Sequence, residues 1–203
     1  MKNNLILSIL IFFSFQNLAL SQGFNFKGSN IEILDNGNQI NENRGTAFSS
    51  DYNLEITSDR FEYLKDVDIL KSFGNGTVIV KSEKLEMKYD NAIFDQKNST
   101  VEATGNVEIF QVYESFVIKN NKIIYDQNNN IISSDDTTKI EDKFGNIYFV
   151  DNFKFEIDQD LIKVKNLVTK DNQNNIFKTS LAFFNTKSGK IFGKDVNANL
   201  NSS

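Results

Sequence analysis

The sequence predicts an all-β fold, a twisted β-jelly roll or open β-sandwich assembled from repeated hairpins. Three observations carry that expectation: apolar side chains recur at every second position, clusters of Asn, Asp and Gly separate the alternating runs, and the pattern returns after 31 residues. In chain order the alternation runs through Leu54 and Ile56, Phe61 and Tyr63, Val78 and Val80, then Leu85 and Met87. It continues with Val101, Ala103, Gly105, Val107 and Ile109, separated by Glu102, Thr104, Asn106 and Glu108, as a strand with one buried face requires. Phe116 and Ile118 follow, then Phe153, Phe155 and Ile157, and last Phe177, Thr179, Leu181 and Phe183. The turn-forming segments are Asn36-Gly37, Gly74-Asn75-Gly76, Asp126 to Asn130, Asp171 to Asn175 and Ser188-Gly189. Proline is absent, so these residues supply all the turn chemistry and no strand lacks a ladder donor.

The 203 residues hold 22 Lys and Arg against 27 Asp and Glu, with no His, Cys or Trp. That length buries a substantial core in one domain. Without His and Cys there is no imidazole or thiolate metal site, no Ser-His-Asp triad, no cysteine nucleophile and no disulfide. A net charge of -5, with Arg44 and Arg60 as the only arginines, lacks the basic footprint that neutralises nucleic-acid phosphates. No nucleic-acid partner is expected.

Residues 1–21 read as a secretory signal peptide. Lys2 forms a short positive region, Leu5 to Phe15 is apolar except for Ser8 and Ser14, and Ala19-Leu20-Ser21 places small residues at the cleavage positions. The apolar run is shorter than the ~20 residues that span a bilayer. The expected mature domain is 22–203, exported and built without disulfide staples.

The repeat is visible residue by residue. Tyr63-Leu64-Lys65-Asp66, Ile69-Leu70 and Gly74-Asn75 lie 31 residues before Phe94-Asp95-Gln96-Lys97, Thr100-Val101 and Gly105-Asn106, and the same step reaches Tyr125 to Asn128 and Ile131-Ile132. A fourth copy starts near Phe155 with Leu161-Ile162 as its apolar pair, and an earlier one runs from Ile33 to Arg44-Gly45-Thr46. Glycine at 74 and 105 predicts a bulge or sharp bend within a strand. Each copy buries its apolar face only against its neighbours, which gives a continuous sheet pair.

The run Phe94-Asp95-Gln96-Lys97-Asn98-Ser99-Thr100-Val101-Glu102-Ala103-Thr104-Gly105-Asn106-Val107-Glu108-Ile109, with Ser58-Asp59-Arg60-Phe61-Glu62-Tyr63, resembles the OstA-like repeat of lipopolysaccharide-transport proteins. That family includes the periplasmic bridge LptA and the N-terminal periplasmic domain of LptD. The likeness spans about Ile31 to Phe192, and the third copy carries Asp136 and Thr137 in place of Gly-Asn. The resemblance implies a non-enzymatic lipopolysaccharide-transport module, located in the periplasm and associated with the outer membrane, that shields lipid A acyl chains during outer-membrane assembly. It implies lipopolysaccharide as ligand, other lipopolysaccharide-transport proteins as partners through edge-strand pairing, and head-to-tail self-association. No cofactor, metal or catalytic residue is expected. The inward members of the repeats are the candidates to line a lipid groove: Ile56, Phe61, Tyr63, Ile69, Val78, Val80, Leu85, Met87, Phe94, Val101, Ala103, Val107, Ile109, Phe116, Ile118, Ile123, Tyr125, Phe153 and Phe155. Any of them also serves as ordinary core.

Weaker signals are read as structural. Asp126 to Asn130 starts like a calcium loop, but Ile131 and Thr137 stand where Gly and Glu are needed, so it is a turn. Asp66/Asp68, Asp135/Asp136 and Asp158/Asp160 read as solvated carboxylates near turns. Lys119, Lys122, Lys139 and Lys143 are placed to meet lipid phosphates at a groove mouth, or to protect strand edges. Two other architectures share a signal peptide and alternating strands: a small outer-membrane β-barrel and an exported β-solenoid used for adhesion.

Overall fold

A computed structural model describes residues 23–49, 53–111, 116–170 and 175–200. The expected signal peptide and residues 171–174 of the last Asp/Asn cluster lie outside the described residues. Alternation with turn residues between the runs gives strands β1 (Asn25–Leu34), β2 (Gln39–Ser49), β3 (Leu54–Leu64), β4 (Ile69–Val80), β5 (Leu85–Asp95), β6 (Thr100–Gln111) and β7 (Phe116–Asp126). They are followed by β8 (Ile131–Ser134), β9 (Thr138–Asp142), β10 (Ile147–Val150), β11 (Asn152–Glu156), β12 (Leu161–Lys170), β13 (Ile176–Asn185), β14 (Ile191–Lys194) and β15 (Asn197–Asn199). All fifteen belong to one antiparallel sheet, in chain order from β1 to β7. β8 and β9 both pair with β7, β10 and β11 both with β12, and β14 and β15 both with β13, so each couple fills the place of one long strand. The fold is the all-β jelly roll that the alternation predicts.

Each long strand bends at its middle, and the bend explains the repeat motif. Gly74 and Asn75 have φ of 77° and 47°, and Gly105 and Asn106 have 73° and 46°. Pairing shifts register at these points because β4 and β6 each carry an extra residue, a β-bulge. A Cβ on Gly74 would lie 2.8 Å from Asp59 Oδ2, and one on Gly105 would lie 2.6 Å from Asp90 Oδ2. Only glycine meets both the left-handed backbone and that close approach. The next residue then ties the bend: Asn75 Nδ2 donates to Asp59 Oδ2 at 2.6 Å, and Asn106 Nδ2 donates to Asp90 Oδ2 at 2.8 Å. Asn166 and Asp151 repeat the tie at 2.8 Å. Arg44, Asn75, Asn106, Asn166 and Asp195, all at positive φ, trace one crease across the sheet. Gly74-Asn75-Gly76 is therefore a bend inside β4 and not a turn between strands. Where Asp136 and Thr137 replace Gly-Asn, the strand breaks into β8 and β9.

The crease folds the sheet onto itself. Phe26, before the crease in β1, packs 6.1 Å from Phe61 and 5.8 Å from Tyr63, both beyond the crease in β3. Phe116 and Tyr148 each meet Phe184 edge-on at 5.2 Å. Such pairs add specific geometry to apolar burial. At one end the hairpin turns stack by backbone bonds: Gln96 N donates to Asp68 O at 3.1 Å, Gln127 N to Ser99 O at 2.9 Å, and Ile157 N to Asn130 O at 3.1 Å. Tyr63 and Tyr125 pin their own turns, donating to Asp68 Oδ1 at 2.7 Å and Asn130 Oδ1 at 2.9 Å. Burial pushes both phenols up, Tyr125 to about 12 and Tyr63 further with help from Asp68, so they remain donors throughout the physiological range.

The outer face is charged. Lys119 meets Glu108 at 2.7 Å, Lys122 meets Glu102 at 2.9 Å, and Glu156 holds Lys163 at 2.8 Å and Lys154 at 3.1 Å. Pairs this exposed add little stability, up to about 1 kcal/mol each, but they fix which face meets water. An apolar interior with a charged exterior is the reverse of a lipid-embedded barrel. The antiparallel meander likewise differs from a parallel solenoid.

Candidate functional site

Strand register places the inward side chains in rows that cross the whole sheet. The first row is Ile33, Ile40, Tyr63, Leu70, Phe94, Val101, Tyr125, Ile132, Phe155, Ile162, Phe184 and Ile191, each the direct cross-strand neighbour of the next. No polar residue interrupts it. From Tyr63 to Phe184 no member is more than 4% exposed, whereas Ile33 at the β1 edge is 65% exposed and Ile191 at the other end 37%. Beyond the crease a second row runs Phe26, Ala47, Ile56, Val78, Met87, Ile109, Ile118, Ile140, Tyr148, Thr169, Phe177 and Ala198. The aromatic contacts across the fold show that the two rows face each other.

The sequence-derived candidates fall almost entirely on the inward face, ten of the nineteen on these two rows. Tyr63, Phe94, Val101, Tyr125 and Phe155 lie on the first, and Ile56, Val78, Met87, Ile109 and Ile118 on the second. Phe61, Ala103, Ile123 and Phe153 line a third row beside the crease, Val107 sits at the crease itself, and Val80, Leu85 and Phe116 lie near the opposite end of the strands. All are buried. Ile69 is the exception: it pairs with Leu64 on the outer face and is half-buried, while Leu70 faces inward and is fully buried. The 31-residue step contains that answer, because Val101 maps back onto Leu70 and forward onto Ile132. Leu181 and Phe183 also turn out half-buried, with Ala182 and Phe184 inside, because the bend at Ser180 moves the inward phase from 177 and 179 to 182 and 184.

Sequence reasoning gave no role to Glu42. It belongs to the third row, between Ile31 and Phe61, and is completely buried with both carboxylate oxygens unpartnered among the described residues. Gly28 and Gly45 make room for it: a Cβ on either would fall 1.7 Å and 2.1 Å from Oε1. Burial raises its pKa from the ordinary 4.5. The other acidic candidates are structural or solvated. Asp68 accepts from Tyr63, Asp158 accepts from Asn130 Nδ2 at 2.8 Å, and Asp135 and Asp136 are exposed. Asp126 is held below the usual carboxylate range by Asn129, whose side-chain and backbone N–H groups both donate to it. Among the described residues no group of three or more metal-binding side chains comes together. Lys119, Lys122 and Lys139 are engaged by Glu108, Glu102 and Glu141, which leaves Lys143, in a groove at the end of the strands, as the member of the predicted set without a carboxylate partner among the described residues.

The chain is similar to LptH. The crystal structure of LptH, described as the LptA homologous periplasmic component of the conserved lipopolysaccharide transport device from Pseudomonas aeruginosa, superposes with a TM-score of 0.47 and 13% sequence identity, covering 58% of this chain and 95% of that chain. No family model matches the chain, and no curated protein matches it.

Proposed function

We propose that this chain is a non-enzymatic carrier module that shields the acyl chains of lipopolysaccharide while they cross the periplasm. The observation that carries this reading is the first inward row: twelve apolar side chains in unbroken succession from one sheet edge to the other, buried in the middle and exposed at both ends. Each methylene taken out of water contributes about 0.8 kcal/mol, so a multi-acylated lipid requires a continuous apolar path. Among the described residues β1 pairs only with β2, and β14 only with β13, so both edges offer unpaired backbone. Edge-to-edge pairing with other transport proteins, or head to tail with a second copy, would extend the path, with Ile33 and Ile191 at the joints. The interior is filled by its own side chains, so acyl chains enter as the two halves part about the crease.

A photo-reactive aromatic in place of Phe94, in the middle of the row, is expected to give a light-dependent adduct with lipopolysaccharide. The same probe in place of Glu102, on the outer face and paired with Lys122, is expected to give none. Equal labelling at both positions, or none at Phe94 in a folded protein, would sink the reading.

A further inference from the structure

A groove of about 740 Å³ opens at the end of the molecule away from the stacked turns, within the usual range for small-ligand sites, about 300–1,000 Å³. Part of its lining is a cross-strand run on the outer face, where Ile79, Phe110 and Val117 share one row interrupted by Glu86. Its lip is made by Leu85 and Phe116, which face inward and are only 1% and 5% exposed. The groove therefore shares residues with the interior. Among the described residues four lysines line it, Lys81 and Lys84 from the β4–β5 turn, Lys88 from β5 and Lys143 from the β9–β10 turn, with Glu86 as the one acid. Its described lining residues carry three positive charges in excess, on a chain whose net charge is -5. Glu55 neutralises Lys81 at 2.7 Å, and Lys88 lies 3.5 Å from Glu86 and 4.9 Å from the Phe110 ring centre. Lys84 and Lys143 have no carboxylate partner among the described residues.

We propose that this groove receives the phosphate-bearing end of an acylated amphiphile, with Lys84 and Lys143 on the phosphate and the first part of an acyl chain against Ile79, Phe110 and Val117. The occupant follows from the two halves of the site. Free phosphate would leave the apolar wall wet, a neutral lipid would leave two ammonium groups without a counter-charge, and one molecule that carries both groups satisfies both. Lysine suits a phosphate whose orientation is not fixed, because it acts as a mobile point charge and not as a planar fork. The inference rests on the carrier reading and refines it: the phosphorylated end is held outside, at the threshold marked by Leu85 and Phe116, while tails occupy the interior.

The test is calorimetric titration of the full chain with dioctanoyl phosphatidic acid below its micellar concentration, against dioctanoylglycerol and inorganic phosphate. The double variant Lys84→Glu/Lys143→Glu is expected to weaken phosphatidic acid binding about tenfold or more, as loss of charge-assisted contacts does. A charge-matched control, Lys187→Glu/Lys190→Glu, in and beside the last turn of the stacked end, is expected to leave it unchanged. Equal weakening in both variants, equal binding of inorganic phosphate or of dioctanoylglycerol, or binding only to anionic vesicles would overturn the proposal. Lipopolysaccharide labelling at Phe94 separates the two readings. Labelling without lysine dependence removes the groove and keeps the carrier; lysine dependence without labelling keeps the groove and removes the carrier.

Discussion

Glu42 occupies the third inward row, where the neighbouring strands place Phe61, Ser72, Ala92 and Ala103. A buried carboxyl group with no partner is stable only in its neutral form, because desolvation penalises the charge. Its folded pKa lies above the ordinary 4.5, so the stability it permits is fully present below that value and is lost as pH rises through the folded pKa. Wild type is accordingly expected to lose stability as pH rises from 4 towards 8, relative to Glu42→Gln, an isostere that cannot ionise. Thermal unfolding of the two proteins across that range checks the claim, and parallel curves would show that Glu42 is not desolvated. The site beside β1 that Glu42 fills was invisible in the sequence. Alternation marks which residues face inward only when the inward residue is apolar, and an acid in that phase reads as an outward one.

The unit of construction is the creased strand. Gly74 and Gly105 were legible in the sequence as bends, since Gly-Asn within an alternating run has few other uses, and Asp59, the partner of Asn75, lies within the quoted Ser58 to Tyr63 segment. Gly105→Ala is expected to destabilise by about 1–3 kcal/mol, combining left-handed strain with a Cβ pressed against Asp90. Asn106→Ala, which keeps the glycine but removes the tie to Asp90, is expected to cost less, about 1 kcal/mol. Chemical denaturation distinguishes the two, and equal small effects would mean that the crease tolerates ordinary side chains. The same crease explains where the alternation misled. The crease, which sets two residues of β3 against three of β4, resets the inward phase along each strand, so a count carried through Ser180 assigned Leu181 and Phe183 to the wrong face. At Ile69 the error had another origin. Two adjacent apolar residues leave a two-residue period undecided, and the register to Tyr63, set by the turn between them, selects Leu70.

At the scale of the molecule, one sheet serves as both walls of its own interior. The sequence made the all-β class, the 31-residue unit and nearly all the inward residues legible, because those depend on local periodicity. The meeting of Phe26 with Phe61 and of Phe116 with Phe184 was not legible, since it depends on how far each crease closes. That closure is also what the carrier account requires to change. With the interior packed and Phe94 only 2% exposed, acyl chains fit only if the two halves move apart. Each edge shows the apolar row to solvent, which places the easiest opening at the ends. The chain contains no cysteine, so a pair of spin labels can be introduced cleanly at Glu55→Cys and Glu62→Cys, outer-face positions of β3 on either side of the crease. The distance between those labels, measured by pulsed dipolar spectroscopy with and without lipopolysaccharide, tests the central claim most directly. The account expects a longer or broader distribution with lipopolysaccharide and none of that change with its deacylated form; an unaltered distance in a protein that has bound the intact lipid would contradict it.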